Sequence, residues 1–305
     1  MGILSVLLIV VGLAVFETIS SIDNVIINSE VLSTMKPKAR KWFMGWGILF
    51  AVFIIRGLLP WFLLWVSDPS VGFIQILKLG VSTSGTSFVI SEQASSILLS
   101  AGGAFLVVLF LHWFFVESKE FYNIFRLEKS SAHKMFYILS LLLLLAIAAI
   151  SWNQNSLMVM GAIIGTFVFI LIFKIRDLAE KKERLLKTKG KLTDRSKIIY
   201  LELIDTAFSI DGVLGAFAFT FSIPFILIGN GLGALIVRNL TIRNLGVVKK
   251  YQYLKHGAMY SICFLGIIMY LDSFGVTVPS FISPIATFVI VGYFLLKSSN
   301  TNNRI

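Results

Sequence analysis

Charge is scarce in this chain. Of its 305 residues only 14% are Asp, Glu, Lys or Arg, where a soluble domain carries about a quarter. Cysteine occurs once, at Cys263 in an apolar stretch, so no disulfide within the chain supports the fold and the thiol reads as packing. Three histidines and no cysteine cluster leave no zinc-type ligand set. There is no HExxH, Ser-Lys or Asp-rich phosphate motif, so an enzyme is not expected.

What the chain has in abundance is apolar sequence: 57% hydrophobic residues and a mean hydropathy of +0.87. A segment crossing about 30 Å of hydrocarbon needs roughly 20 apolar residues. Nine runs qualify, near 3–28, 43–66, 97–116, 134–151, 156–174, 197–219, 222–240, 256–274 and 279–297. The expected fold is therefore all-α, a polytopic membrane bundle of about nine spans. The first run has no Lys or Arg before it and no cleavage pattern, so it is expected to be a retained helix rather than a signal peptide.

The basic residues test this count. Of the 27 Lys and Arg, all but Lys78 and Arg56 fall in the odd-numbered connections, at their span borders or in the C-terminal tail. Positive residues stay cytoplasmic, which predicts an outer N-terminus and a cytoplasmic C-terminus. Trp42, Trp46, Trp61, Trp65, Trp113 and Trp152 all fall toward span ends, as headgroup anchors do. The net charge of +11 needs no nucleic acid to explain it. Much of it lies in the 174–197 segment KIRDLAEKKERLLKTKGKLTDRSK, which reads as a helix continuing into the cytoplasm, breaking at Gly190 and drawn to anionic lipid. The outer connection 67–96 carries a Ser/Thr/Gly-rich tract around 81–88 and is long enough to suggest a lid or re-entrant segment.

The acids are few but patterned. ETISSIDNV at 17–25 returns as DTAFSIDGV at 205–213. Carboxylates recurring at one spacing inside membrane-grade sequence mark a polar site within a bundle. The repeat continues: Gly47 precedes Arg56 by nine residues, and Gly229 precedes Arg238 by the same interval. Spans 1–3 thus match spans 6–8, five spans apart, so the two units are expected to be inverted and to meet around a midplane site. This gives a first repeat over 1–133, a linker of two spans and the basic segment over 134–196, and a second repeat with the last span over 197–305.

Glu17, Ser20, Ser21, Asn24 and Asn28 form one helical stripe, and Glu202, Asp205, Ser209 and Gly212 another. Asp23 and Asp211, six residues beyond the first acids, point about 120° away on an ideal helix. Either each aspartate faces a different neighbour, or the helix opens near Ser-Ile-Asp, which is the expectation for both copies. The candidate metal ligands are Glu17, Asp23, Asn24, Glu202, Asp205 and Asp211, supported by Ser20, Ser21 and Ser209. These are hard oxygen donors, suited to Mn²⁺, Mg²⁺ or Ca²⁺ as a transported ion, with no tightly bound cofactor. Protons compete with a metal for clustered carboxylates, a route to exchange. Arg56 and Arg238 are the candidate counter-ions or gates, taking over the carboxylates when the metal leaves. His112, His133 and His256 read as packing or interface residues, and Gly161 and Gly165 as a helix-packing patch.

ETISSIDNV, LELIDTAFSIDGVLGAFAFT, GNGLGALIVRNLTIRNL and YQYLKHGAMYSICFLGIIMYLD together resemble the TerC-type (tellurium-resistance) integral membrane proteins, in an uncharacterised bacterial branch grouped with LysE-type exporters. The resemblance implies an inner-membrane transporter, with Mn²⁺ efflux as its activity and the motif acids Glu17, Asp23, Glu202, Asp205 and Asp211 as its metal site. Ala14 stands where the second half has Glu202, and Gly212 where the first has Asn24, so the halves would contribute unequal ligands. Export of a small organic solute, or a non-transporting scaffold in envelope or metal stress, are the alternatives. Lipid, a divalent ion and protons are the expected partners, and the sequence names no protein partner.

Overall fold

The computed structural model describes residues 2–47, 50, 55–68, 71–76, 91–117, 129–152, 155–189, 193–243 and 253–302. The tract at 81–88 and the break expected at Gly190 lie outside them. Every regular element among the described residues is helical, as lipid requires of a chain that must satisfy its own backbone.

In chain order the helices are α1 (Ile3–Ser20), α2 (Ile22–Ser33), α3 (Pro37–Trp42), α4 (Arg56–Ser67), α5 (Glu92–Phe115), α6 (Lys129–Ser151), α7 (Leu157–Lys189), α8 (Asp194–Ala216), α9 (Ile223–Arg243), α10 (Leu254–Ser273) and α11 (Ile282–Asn302). A π-helical turn, Phe43–Gly47, follows α3. Local chemistry sets several ends. Pro37 opens α3 at a position where the missing N–H is not needed. Ser91 and Thr193 cap α5 and α8 by accepting from the backbone N–H of Ala94 and Ser196. Gly275, at φ 79°, takes the left-handed turn that ends α10.

Seven segments are long and apolar enough to span a bilayer: Ile3–Ser20, Glu92–Phe115, Ser131–Ser151, Leu157–Leu178, Ile223–Thr241, Leu254–Ser273 and Ile282–Asn300. The chain is thus a multi-pass helical membrane protein. Two of the nine expected spans are not among these seven. Of the second, the described residues include the π-helical turn Phe43–Gly47 and the 12-residue α4. The sixth is α8, whose 23 residues include three carboxylates in its apolar part, Glu202, Asp205 and Asp211. The fifth span runs straight on as α7 to Lys189, so the basic segment does begin as a continuous helix.

Helices in lipid associate by close packing rather than by hydrophobic exclusion, so small residues decide which faces meet. Gly229 and Gly233 bring α9 onto α1: a Cβ there would lie 2.5 Å from the Leu13 Cβ and 2.7 Å from the Ala14 carbonyl oxygen. Gly161 and Gly165 do the same for α7 on α5, where a Cβ at Gly161 would come within 2.6 Å of the Ile97 carbonyl oxygen. That seam is also tied by the Ser100 hydroxyl, which donates to the Met158 carbonyl at 2.6 Å. Between the seams sits an apolar core including Leu13, Phe16, Phe105, Leu106, Ile226 and Leu265. His112 packs among Phe136, Phe169 and Phe173, and His256 against Trp113.

Candidate functional site: a buried carboxylate–arginine cluster

Glu17 lies on the face of α1 that the Gly229–Gly233 seam presses against α9, and it is 1% exposed. An unpaired carboxylate at that depth is untenable. Its partner is Arg56, at the start of α4, whose Nη2 is 2.8 Å from Glu17 Oε1 and 3.9 Å from Asp205 Oδ1. Ser21 donates to Glu17 Oε1 at 2.9 Å. Asn24 Nδ2 donates to Asp205 Oδ1, linking α2 to α8. Glycine makes the convergence possible: a Cβ at Gly212 would strike Glu17 Oε2, and one at Gly233 would lie 2.6 Å from the Glu17 Cβ. Glu17, Ser21, Asn24, Asp205 and Arg56 are therefore brought together. Ser20 and Ser209 instead donate to carbonyls of their own helices, Glu17 O at 3.3 Å and Asp205 O at 2.6 Å.

The two later aspartates face elsewhere. Asp211 is bound by Arg176 Nη2 at 2.7 Å, and the same guanidinium group donates to the Ala207 carbonyl at 2.6 Å. Asp23 Oδ2 takes Lys255 Nζ at 2.9 Å, and that ammonium also contacts Glu117 Oε2 at 2.9 Å. The helix break expected at Ser-Ile-Asp in both copies is present in the first and corrected in the second. In the first copy the interruption is a single residue, Ser21, and the backbone ladder crosses it through Ser21 N–H to Glu17 O and Val25 N–H to Ser21 O. In the second copy α8 runs unbroken through Asp211. The physical reason is that a neighbouring helix supplies each aspartate with a cation, so the backbone need not rearrange to bring it inward. Arg176 and Lys255 are functional candidates that sequence reading assigned to the cytoplasmic charge. The available signal was their position, within two residues of the ends of apolar runs.

On the other side of Arg56 lies a cavity of about 40 Å³, bounded by Asn28, Phe43, Gly47, Asp205, Val237, Arg238 and their neighbours. A water needs roughly 10–15 Å³ of such space, so it admits a few waters or one partly dehydrated ion. Arg238 forms one wall, donating to the Phe43 carbonyl and lying 5.1 Å from the centre of the Phe43 ring. Glu202 stands one turn before Asp205, with a carboxylate oxygen that a Cβ at Gly47 would strike. Among the described residues, both Glu202 oxygens, Glu17 Oε2, Asn24 Oδ1 and Asn28 Oδ1 are buried without a hydrogen-bond partner. Three carboxylates, Glu17, Glu202 and Asp205, face two guanidiniums, Arg56 and Arg238, so the fully ionised cluster is one charge negative. A group of spare hard acceptors with excess negative charge calls for cations or water as its ligands. Among the described residues no three His, Cys, Asp or Glu side chains converge as a ready chelate. Arg56 lies between Glu17 and Asp205, within 4 Å of both.

The chain matches the family described as "Protein of unknown function (DUF475)" over residues 22–305, and it belongs to that family. No curated protein and no solved structure matches it. The TerC-type and LysE-type resemblance is corrected by this finding. Its basis was four stretches of apolar helix, two of them carrying the paired acids. Any bundle that must bury carboxylates beside serine, asparagine and glycine selects such stretches, so they do not by themselves assign a family.

Proposed function

We propose that this member of the family is a transporter of a divalent cation, Mn²⁺ first and Ca²⁺ or Mg²⁺ by the same oxygen chemistry, with protons as a counter-substrate. The observation that carries the reading is the Glu17–Arg56–Asp205 constellation, buried at the base of a cavity among oxygens that have no donor. A permanent structural ion pair has no use for spare acceptors around it, whereas a site that alternates between occupants does. In the conformation described, Arg56 neutralises the acids. When a cation enters from the cavity, Arg56 withdraws and Glu17, Asp205, Asn24 and Glu202 supply oxygens. Return of the guanidinium offsets the loss of the ion, so the empty carrier never buries naked carboxylates.

The finer architecture belongs to the same proposal: nine spans, with spans 1–3 and 6–8 as inverted repeats, in a plasma (inner) membrane with the N-terminus outside and the C-terminus cytoplasmic. A two-fold axis in the membrane plane would pair span 1 with 6, 2 with 7 and 3 with 8. In support, α1 touches α8, α4 touches α9 and α5 touches α10, while the off-axis contact α1–α9 has its mate in α4–α8 and α1–α10 in α5–α8.

Purified protein in tight proteoliposomes loaded with a metal-sensitive dye tests the function. Wild type is expected to move Mn²⁺, and Glu17→Gln or Asp205→Asn to lower the rate by about tenfold or more, the loss expected when a charged ligand is removed from its ion. Vesicles that move no divalent cation overturn the reading. Pairing of Glu17, Asp211 and Asp23 with basic side chains favours a second reading, a non-transporting scaffold whose acids are structural. It predicts silence toward every cation together with stable protein partners recovered through the basic 174–197 segment.

A further inference from the structure

Asn230 is 0% exposed, and among the described residues neither its amide oxygen nor its amide nitrogen has a hydrogen-bond partner. A buried primary amide leaves up to four hydrogen-bonding positions idle, a desolvation cost of a few kcal/mol with no return from packing. Its place on α9 suggests what it serves. The cavity's α9 wall is made by Ala234, Val237, Arg238 and Thr241. At about 100° per residue, Asn230 falls between Val237 and Thr241 around the helix, within roughly 20° of each. It therefore continues the cavity-lining stripe inward, one turn past Ala234.

Its depth is equally specific. Gly233 abuts Glu17, and Asn230, three residues earlier, lies roughly 4.5 Å further along the axis, away from the cavity mouth. Beyond it the same side of α9 presents the buried Ile226, and the rings of Phe16 and Phe219 meet at 5.7 Å. The amide thus sits between the charged cluster and an apolar plug.

We infer that Asn230 is a ligand of the transported cation, forming an inner subsite one turn beyond the Glu17–Arg56 pair; this rests on the transport reading above. An amide oxygen is a hard, neutral donor. It replaces one hydration water of an ion leaving the carboxylates without holding it as a further charge would, which suits an intermediate position on a path. The subsite takes a partly dehydrated divalent cation.

The test uses the full chain with Cys263→Ala, so that Asn230→Cys is the one thiol. In proteoliposomes, Asn230→Cys is expected to react with a small cationic thiosulfonate, and Mn²⁺ is expected to slow that reaction. No labelling overturns the inference, as does labelling that Mn²⁺ leaves unchanged. In flux, Asn230→Leu is expected to raise the KM for Mn²⁺ about tenfold, the factor for one lost charge-assisted contact. Asn230→Asp, which keeps an oxygen there, is expected to stay within about threefold of wild type. An unchanged KM in Asn230→Leu overturns the ligand role while leaving transport intact. Silent wild-type vesicles with a labelled, Mn²⁺-protected Cys overturn transport and leave the subsite standing as a binding site.

Discussion

Arg56 carries the largest electrostatic burden of any single side chain in the cluster. It is 4% exposed and shared between Glu17 and Asp205. Removing one partner of a buried pair strands the other, at about 3–5 kcal/mol. Arg56→Ala is therefore expected to lower the unfolding temperature in detergent clearly, and Glu17→Gln in the same chain to recover much of the loss. Additive losses would show that the pair is not coupled. The exposed Asp177–Lys181 pair on α7, 2.6 Å apart, makes the contrast: Lys181→Ala is expected to leave stability within about 0.5 kcal/mol, because solvent screens it. Sequence patterning identified Glu17, Asp205 and Arg56 as residues in need of partners. It could not say that Asp211 would take Arg176 and Asp23 would take Lys255, since those partners sit more than 30 residues away on helices whose rotation no local pattern records.

At the scale of elements, glycine sets the spacing between helices and thereby the site. Gly233→Val would force a branched side chain against the Ala14 carbonyl and the Glu17 stem, neither of which can yield without moving α1 off α9. Loss of monodisperse protein, or a drop of several kcal/mol in stability by thermal unfolding, is the expected result. At Gly45, in the π-helical turn, an added Cβ meets nothing within 4 Å, so Gly45→Ala is expected to be nearly neutral there. If the two variants melted alike, the seam would not be the structural constraint it is taken for. The seam on α7 was readable, because Gly161 and Gly165 four apart in an apolar run have few other uses. The π-helical turn Phe43–Gly47 was not: residues 43–66 read as one uninterrupted apolar run. A change of helical winding at a cavity wall leaves little trace in hydropathy.

For the molecule as a whole, the distribution of charge predicts which ends face which side. The connection from α10 to α11, residues 274–281, carries no basic residue, whereas the start of α10 and the end of α11 carry Lys255 and Lys297. With Cys263→Ala as background, Val276→Cys is expected to react with an impermeant thiol reagent applied to intact cells, and Ser299→Cys, at an exposed position near the end of α11, only after permeabilisation. The reverse pattern would invert the proposed orientation and with it the direction in which the cavity opens.

Composition, run length and the positions of charge determined by themselves that this is a helical membrane protein, where most of its helices run and which acids lie too deep to stand alone. These follow from free energies that depend on each residue and its near neighbours: transfer into lipid, backbone satisfaction, and the cost of a buried charge. Only the tertiary structure decided which cation each acid receives, that one motif copy is interrupted while the other is not, and that Asn230 is buried on α9. Those depend on the rotation and separation of helices far apart in the chain, set by glycine seams whose partner faces are unknown until the bundle has packed.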